Sequence, residues 1–165
     1  MKSEPTRAGG APDAPESAAH RDSEDVMIIG LLTLLTREIC NRVTAALVAR
    51  GFPDVRASYL PVFQRLSPEG SRLTGLAELV MAPKQTVGET VDALERLGYV
   101  ERAPDPSDGR ATLIRRTARG QEVNVIAAAV ARETQRAWAA RLGEERMAQA
   151  LATLRDIAQI LRKPD

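Results

Sequence analysis

Apolar residues recur at every third or fourth position in the N-terminal third of the chain, a spacing typical of one face of a helix. The pattern starts at residue 24 and stops before Gly51 and Pro53, so it predicts one long helix over residues 24–50. Within this helix, residues 26–35 are apolar on nearly all sides, which favours a helix buried between subunits. A central helix of a monomeric bundle is the alternative. The repeating positions are Ile28, Leu31, Leu35, Ile39, Val43 and Leu47.

The next apolar segments predict three shorter helices. The first covers residues 55–66 and is followed by a turn at residues 67–70. The second begins at Thr74, whose hydroxyl is suited to cap a helix. The third begins in the turn that contains Pro83 and ends at Gly98. Its core-facing positions are Val87, Val91, Leu94 and Leu97.

The last two of these helices and the segment behind them have the pattern of a winged helix-turn-helix. Two short helices that meet at a tight connection form the helix-turn-helix itself. Residues 99–102 and 111–116 then predict two strands, joined by a turn-rich loop at residues 103–110. A hairpin directly behind a recognition helix is a wing, which places basic residues where a second DNA groove can be reached.

Two more helices complete the predicted fold. Thr117 caps the first, over residues 118–141, and Gly143 separates it from the second, over residues 144–161. The apolar spacing of the last helix suits packing on another helix. The fold class is therefore mainly α with a small β-hairpin wing, in which a winged helix-turn-helix is joined to a helical dimerisation region.

The composition indicates one globular domain. The chain has 165 residues, of which 44% are hydrophobic and 27% charged. Residues 1–23 combine Pro, Gly and charged residues with little apolar content, so they predict a disordered tail in front of a single domain over residues 24–165. The 23 basic and 22 acidic residues nearly balance, so attraction to nucleic acid depends on where the charges lie.

The residue types present exclude several kinds of chemistry. The only histidine, His20, lies in the predicted tail, which makes a histidine-based catalytic triad or metal site untenable. The single Cys40 allows no internal disulfide and suits a reducing compartment. No segment has the pattern of a signal peptide or the length of a membrane span. We therefore expect a cytoplasmic protein that is not an enzyme, uses no cofactor and does not enter a membrane.

Two segments resemble the MarR-type winged helix-turn-helix regulators. The more specific one, LGYVERAPDPSDGRATLIRRTARG at residues 97–120, is similar to that family's wing and to the helix start behind it. Residues 72–102 are similar to its paired helices. The resemblance assigns Asp105, Asp108 and Arg110 to the family's acidic and basic wing positions.

This resemblance implies a homodimeric transcriptional regulator that binds a pseudo-palindromic operator in double-stranded DNA and acts as a repressor. The dimerisation helices would cover residues 24–50 and 118–161, and the DNA-binding part residues 55–117. Many members release DNA when a small molecule binds, which implies a small aromatic or phenolic effector. Two alternatives stay open: a winged-helix module that binds a protein partner, and a redox or small-molecule sensor without direct operator binding.

The first turns of the recognition helix carry the side chains suited to a major groove. They lie off the apolar stripe, so they face away from the core. Gln85 can pair with adenine through two hydrogen bonds, and Lys84 can reach guanine or phosphate. A merely solvated helix face is the alternative interpretation. Gly88 lowers helix propensity by about 1 kcal/mol, which a close approach to DNA or to the neighbouring helix would explain. The candidate residues are Lys84, Gln85, Thr86 and Thr90.

Arg110 is the candidate for a minor-groove contact from the wing. Asp105 or Asp108 can hold its side chain extended, and narrow A·T tracts attract such a cation. Closing the hairpin through the same acids is its alternative role. Arg72 and either Arg115 or Arg116 are candidates for phosphate contacts.

Two further expectations concern an effector and the lone cysteine. Arg37, Tyr59 and Phe63 could line an effector pocket where the two parts of the domain meet, or they could be core residues. The resemblance includes relatives that sense peroxide through a cysteine in the first helix. Cys40 lies past the middle of that helix, on its inward side, so we expect a buried and unreactive thiol.

Overall fold

The computed structural model describes residues 28–161, which confirm a mainly helical fold with a small antiparallel sheet. The predicted tail at residues 1–23 lies outside the described residues. In chain order the elements are α1 (Ile28–Val48), a short 3-10 helix (Ala57–Tyr59), α2 (Leu60–Arg65), β1 (Ser71–Arg72), α3 (Leu73–Val80), α4 (Lys84–Arg96), β2 (Val100–Asp105), β3 (Asp108–Arg116), α5 (Ala118–Leu142) and α6 (Glu144–Ile160).

The core lies in the middle of the chain and leaves half of α1 uncovered. Val43 and Leu47, near the end of α1, are completely buried, and the helix stops at Gly51, which has a positive φ of 87°. By contrast, the apolar residues from Ile28 to Leu35 are exposed, with Ile29 67% accessible. The first half of α1 therefore extends beyond the core of its own chain.

The helix-turn-helix is built as the apolar spacing predicts. In α4 the side chains of Val87, Val91 and Leu94 are buried, while the helix ends at Gly98 with a positive φ of 75°. α3 packs against α4 and contributes the completely buried Leu76. One face of α4 is thus fixed to the core, and the other is left to solvent.

The start of α3 differs from the prediction. Thr74 does not cap this helix, because the residue before the first turn is Arg72, whose side chain makes no capping bond. Ser71 and Arg72 instead pair with Ile114 and Leu113 as a short third strand, which the sequence pattern did not reveal. The helix can therefore start only after this strand, at Leu73.

The wing is longer and tighter than predicted. The predicted eight-residue loop is a two-residue turn, because β2 continues to Asp105 and β3 begins at Asp108. The strand order β1-β3-β2 makes β2 an edge strand, so Pro104 can lie in it without removing a required ladder hydrogen bond. A register shift between Pro104 and Asp105 accommodates the turn. Residues that the sequence pattern assigned to the loop, such as Pro104 and Gly109, therefore lie within strands.

The beginning of α5 docks onto the start of β2. As predicted, Thr117 caps α5: its hydroxyl oxygen accepts a hydrogen bond from the Gly120 amide at 3.1 Å. The same hydroxyl donates to the Gly98 carbonyl, and the Thr117 amide donates to the Tyr99 carbonyl at 3.1 Å. A Cβ atom at Gly120 would lie 1.9 Å from that Tyr99 carbonyl oxygen. Glycine is therefore required where the helix meets the strand.

The side chain of Tyr99 extends this junction to the end of α1. Its ring is completely buried between Phe52 and Phe63, and its hydroxyl donates to Asp54. The guanidinium of Arg119 lies 4.9 Å from the centre of the Tyr99 ring and donates a hydrogen bond to its hydroxyl. Burial is the main reason that the pKa of Tyr99 is raised. The residue thus joins α5, the wing and the loop behind α1.

Replacing Gly120 with Ala tests this junction. The added methyl group would overlap the Tyr99 carbonyl, so we expect Gly120→Ala to lower the free energy of unfolding by about 3 kcal/mol. Gly75 is a matched control, because it also lies in a helix but an added Cβ there would have nothing within 4 Å. Gly75→Ala should be neutral or stabilising by up to about 1 kcal/mol. Urea unfolding of both variants measures the difference, and equal midpoints would contradict the close approach.

Candidate nucleic-acid interface

The exposed face of α4 carries the predicted major-groove residues. Lys84, Gln85 and Thr86 are exposed in its first turn, and Thr90 is half-buried one turn later. Gln85 donates through Nε2 to Glu89 at 3.1 Å, and Thr90 donates to the Thr86 carbonyl at 3.0 Å. Both bonds are exposed, so a base edge can replace the Gln85 bond without uncovering a buried group.

The first turn of α4 leaves main-chain amides free for an acceptor. Pro83 precedes the helix and makes no side-chain capping bond, so the first amides have no partner within the helix. Such amides and the positive end of the helix dipole favour phosphate. Gly88 is not explained by the neighbouring helix, because a Cβ there would make only an ordinary 3.8 Å contact with Leu73.

The wing tip is organised by Arg72. Its Nε and Nη2 atoms donate to Oδ2 of Asp105 at 2.8 and 2.6 Å, and Nη2 lies 3.4 Å from Oδ2 of Asp108. The other Asp105 oxygen accepts from the Ser107 amide at 2.9 Å and from its hydroxyl at 2.7 Å. Ser107 first, and then Arg72, lower the pKa of Asp105 to about 2. Both oxygens of this buried carboxylate are therefore bonded.

These contacts correct the expectation for Arg110. The acids of the wing do not hold its side chain extended, because Arg72 occupies them from the unpredicted strand β1. Only the main-chain amide of Arg110 reaches Asp108, at 3.1 Å. Within residues 28–161 the Arg110 guanidinium makes no hydrogen bond or ion pair, so it is left for a contact outside the molecule.

A second arginine fixes the wing to the recognition helix. Arg102 on β2 donates to Asp92 at 2.6 Å and to Glu95, both on α4. These bonds raise the pKa of Arg102, Asp92 being the largest cause. The sequence pattern did not reveal these two ion pairs. In the sequence, only the opposite charges on the recognition helix and the wing strand point to them.

The two arginines at the end of β3 mainly bind the chain itself. Arg116 donates to the carbonyls of Phe63 and Leu66 at 2.9 and 2.8 Å, and burial lowers its pKa, so its contacts within the chain favour Arg115 as the phosphate candidate. Arg115 is half-buried and donates to the Glu69 carbonyl at 3.0 Å through Nε alone. Its phosphate contact stays a prediction.

The predicted effector residues differ in their burial. Phe63 is completely buried, with its ring edge-on to Tyr99 at 6.0 Å, while Arg37 is exposed on α1 and Tyr59 is half-buried. Phe63 is thus a core residue, as the alternative interpretation held. A cavity of about 640 Å³ lies elsewhere, between α1, α5 and α6, and its walls are mostly apolar. Its lining includes Leu32, Ile39, Trp138, Leu142 and Leu151.

Cys40 is less buried than the sequence predicted. The thiol is half-buried and packs against the core from α1, and its lack of redox response stays a prediction. Among the helices that the structure describes, none is both long and apolar enough to cross a membrane. Residues 28–161 also hold no group of three or more metal-ligating side chains.

Comparisons with known proteins agree with this architecture. The sequence profile of the MarR family matches residues 67–111, which run from the turn before β1 into the wing. CouR from Rhodococcus jostii RHA1, solved with p-coumaroyl-CoA, is 28% identical with a TM-score of 0.65, over 87% of this chain and 95% of CouR. A MarR-family transcriptional regulator from Rhodococcus sp. RHA1 is 26% identical with a TM-score of 0.65, over 85% of this chain and 96% of that one.

The repressor CouR bound to a 23-mer DNA duplex shares the fold at 19% identity, with a TM-score of 0.66 over 86% of this chain and 99% of that one. Among curated proteins, none matches the sequence. The profile match covers the helix-turn-helix and wing, and the structural matches extend over the helices on either side. The helix-turn-helix and wing of this chain are thus similar to those of the MarR family, and its fold is that of solved MarR-type winged helix-turn-helix transcriptional regulators.

Proposed function

We propose that this regulator binds a pseudo-palindromic operator as a homodimer and represses transcription. One observation carries the proposal: the exposed face of the recognition helix and Arg110, a wing cation that has no partner among residues 28–161, lie on one rigid unit. Arg102 fixes the wing to α4, so both groups would approach DNA in a constant relative position. The CouR repressor that is 19% identical to this chain has been solved bound to a DNA duplex, which supports this role.

Each contact has a proposed role. Lys84, Gln85, Thr86 and Thr90 read the major groove, and the free amides at the start of α4 bind a phosphate. Arg110 enters the adjacent minor groove, and Arg115 reaches a phosphate with the part of its guanidinium that Glu69 leaves free.

A second copy of the chain covers the apolar helices. The first half of α1 and the end of α6 expose leucine and isoleucine side chains on the walls of the cavity and around it. Contiguous apolar surface of this kind is unfavourable in water unless another protein covers it. Helices over residues 24–50 and 118–161 would form the dimer, and residues 55–117 the DNA-binding part, which places two recognition helices about one DNA turn, roughly 34 Å, apart.

A small aromatic effector is proposed to release the DNA. The support comes from the relative CouR, which has been solved with p-coumaroyl-CoA. Phe63 lies in the core and Arg37 is exposed on α1, so these residues do not support the site that the sequence suggested.

A charge on the apolar face tests the dimer. Leu32 is 41% exposed and lines the cavity, so Leu32→Glu would bury a carboxylate against the second copy and separate the subunits. Leu79 on α3 is 47% exposed and lies outside the cavity, which makes Leu79→Glu the matched control. Sedimentation should give a dimer for the parent and Leu79→Glu, but a smaller or unfolded species for Leu32→Glu. A stable folded monomer of the parent at micromolar concentration would contradict the proposal.

Two substitutions separate the contacts of the wing from those of the recognition helix. The probe is DNA that the purified protein selects from genomic fragments of its host. Arg110→Ala should weaken binding to all selected sequences and lower the salt dependence by about one phosphate equivalent. Gln85→Ala should relax the preference at one base position by about 1–3 kcal/mol.

The matched control is Arg56→Ala, which removes one exposed positive charge before the 3-10 helix. Binding is measured at several salt concentrations for all variants. If Arg110→Ala and Gln85→Ala bind like the parent throughout, the assignment of helix and wing to DNA is wrong. A parent that selects no DNA would instead favour a protein-interaction module or a sensor.

A further inference from the structure

We propose that Arg72 is a positioning residue that allows the wing to bind DNA. It holds the two aspartates at the tip of the wing and neutralises their charge. This inference rests on the proposed function, because it needs the wing to meet DNA. It replaces the expectation that the main role of Arg72 is to contact a phosphate.

The bonds of Asp105 show why the wing tip depends on Arg72. The side chain of Asp105 is only 8% exposed, and Arg72 supplies both bonds to its Oδ2 atom. Ser107 supplies both bonds to Oδ1 and thereby closes the two-residue turn. Without Arg72, a nearly buried carboxylate would lose the only cation that pairs with it among residues 28–161, and the tip would have to open to rehydrate it.

The charges of the tip give the second reason. The turn and its flanks contain two acidic residues, Asp105 and Asp108, but one basic residue, Arg110. The tip by itself would therefore carry one excess negative charge. Arg72 pairs with both acids and brings the tip to neutrality. Since the phosphates of both strands border the minor groove, an excess negative charge beside Arg110 would oppose its entry. Arg72 therefore acts on DNA binding through its neighbours.

A direct phosphate contact is the competing role, since the side chain is 49% exposed and Nη1 makes no bond to the described residues. The two roles differ in how Arg72 couples to Asp108. If Arg72 neutralises the tip, removing the Asp108 charge compensates for the loss of Arg72. If Arg72 binds phosphate, the two substitutions act independently.

A double-mutant cycle distinguishes these roles. The proteins are the full chain with Arg72→Ala, with Asp108→Asn, and with both, and the probe is a poly(dA)·poly(dT) duplex at low salt. We expect Arg72→Ala to weaken binding about tenfold, and Asp108→Asn to recover most of this loss in the Arg72→Ala protein. In the parent, Asp108→Asn should change binding by about twofold or less. Fold-changes that simply multiply would overturn the proposal.

Two variants separate this effect from charge and folding. Arg56→Ala loses the same charge away from the wing and should not be rescued by Asp108→Asn. Arg72→Lys keeps the charge without the forked geometry, so its affinity for DNA should lie between those of the parent and Arg72→Ala. If Arg72→Ala does not fold, Arg72→Lys replaces it in the cycle. Rescue of Arg56→Ala by Asp108→Asn would show a general charge effect and would overturn the proposal.

A measurement without DNA keeps this inference separate from the proposed function. The Asp105 carboxyl, followed by NMR, should titrate at about 2 in the parent, below its ordinary 3.8, and higher in Arg72→Ala. Because the folded pKa is the lower one, the bonds of Asp105 stabilise the fold above pH 3.8 and lose this effect as the pH falls to about 2. An unchanged Asp105 pKa in Arg72→Ala would overturn the positioning role. A parent that binds neither this duplex nor any genomic fragment of its host, while its Asp105 titrates as expected, would instead refute the proposed function.

Discussion

At the start of α5, the main chain of Gly120 lies directly against the Tyr99 carbonyl, and every other part of the structure is arranged around this contact. Tyr99 stands between the end of the recognition helix and the first wing strand, and Thr117 bonds to the carbonyls on both sides of this point. The ring of Tyr99 fills the core, and its hydroxyl reaches the loop behind α1. The direction in which α5 leaves the DNA-binding part is therefore set by main-chain contacts, which side-chain motions do not alter.

Arginines give the DNA-binding part its rigidity. Arg72 and Arg102 attach the wing to the rest of the domain through carboxylates, and Arg116 attaches it through main-chain carbonyls. Guanidinium groups suit this work because their planar donors can bond two or more oxygens at once. Since these cations are paired inside the molecule, the nearly balanced charge of the chain is compatible with a DNA-binding role. The proposed attraction to DNA then depends on a few groups without partners among residues 28–161, of which Arg110 is the clearest on the wing.

The apolar helices α1 and α5 connect the helix-turn-helix and wing to the exposed apolar surface. α1 is buried where it meets the core and exposed at its beginning, so one helix serves both the fold of the chain and the surface proposed for a second copy. α5 begins at the Tyr99 junction and packs along α1, so the same contact that positions the wing also orients the apolar surface. The recognition helix and the apolar surface proposed for a second copy are thus parts of one connected structure, and a change at either end can affect the other.

Local spacing in the sequence was enough to predict α1, the buried face of α4, the stop at Gly98 and the Thr117 cap, because each depends on residues within one or two helical turns. The wing residues were also recognisable as a motif. Only the tertiary structure decided that Ser71 and Arg72 form a strand, that Arg72 rather than Arg110 holds Asp105, and that Phe63 lies in the core. Arg72 and Asp105 are 33 positions apart, and Phe63 meets Tyr99 across a similar separation. The periodicity of a helix or strand carries no information on such partners, because they meet only after the intervening elements have packed.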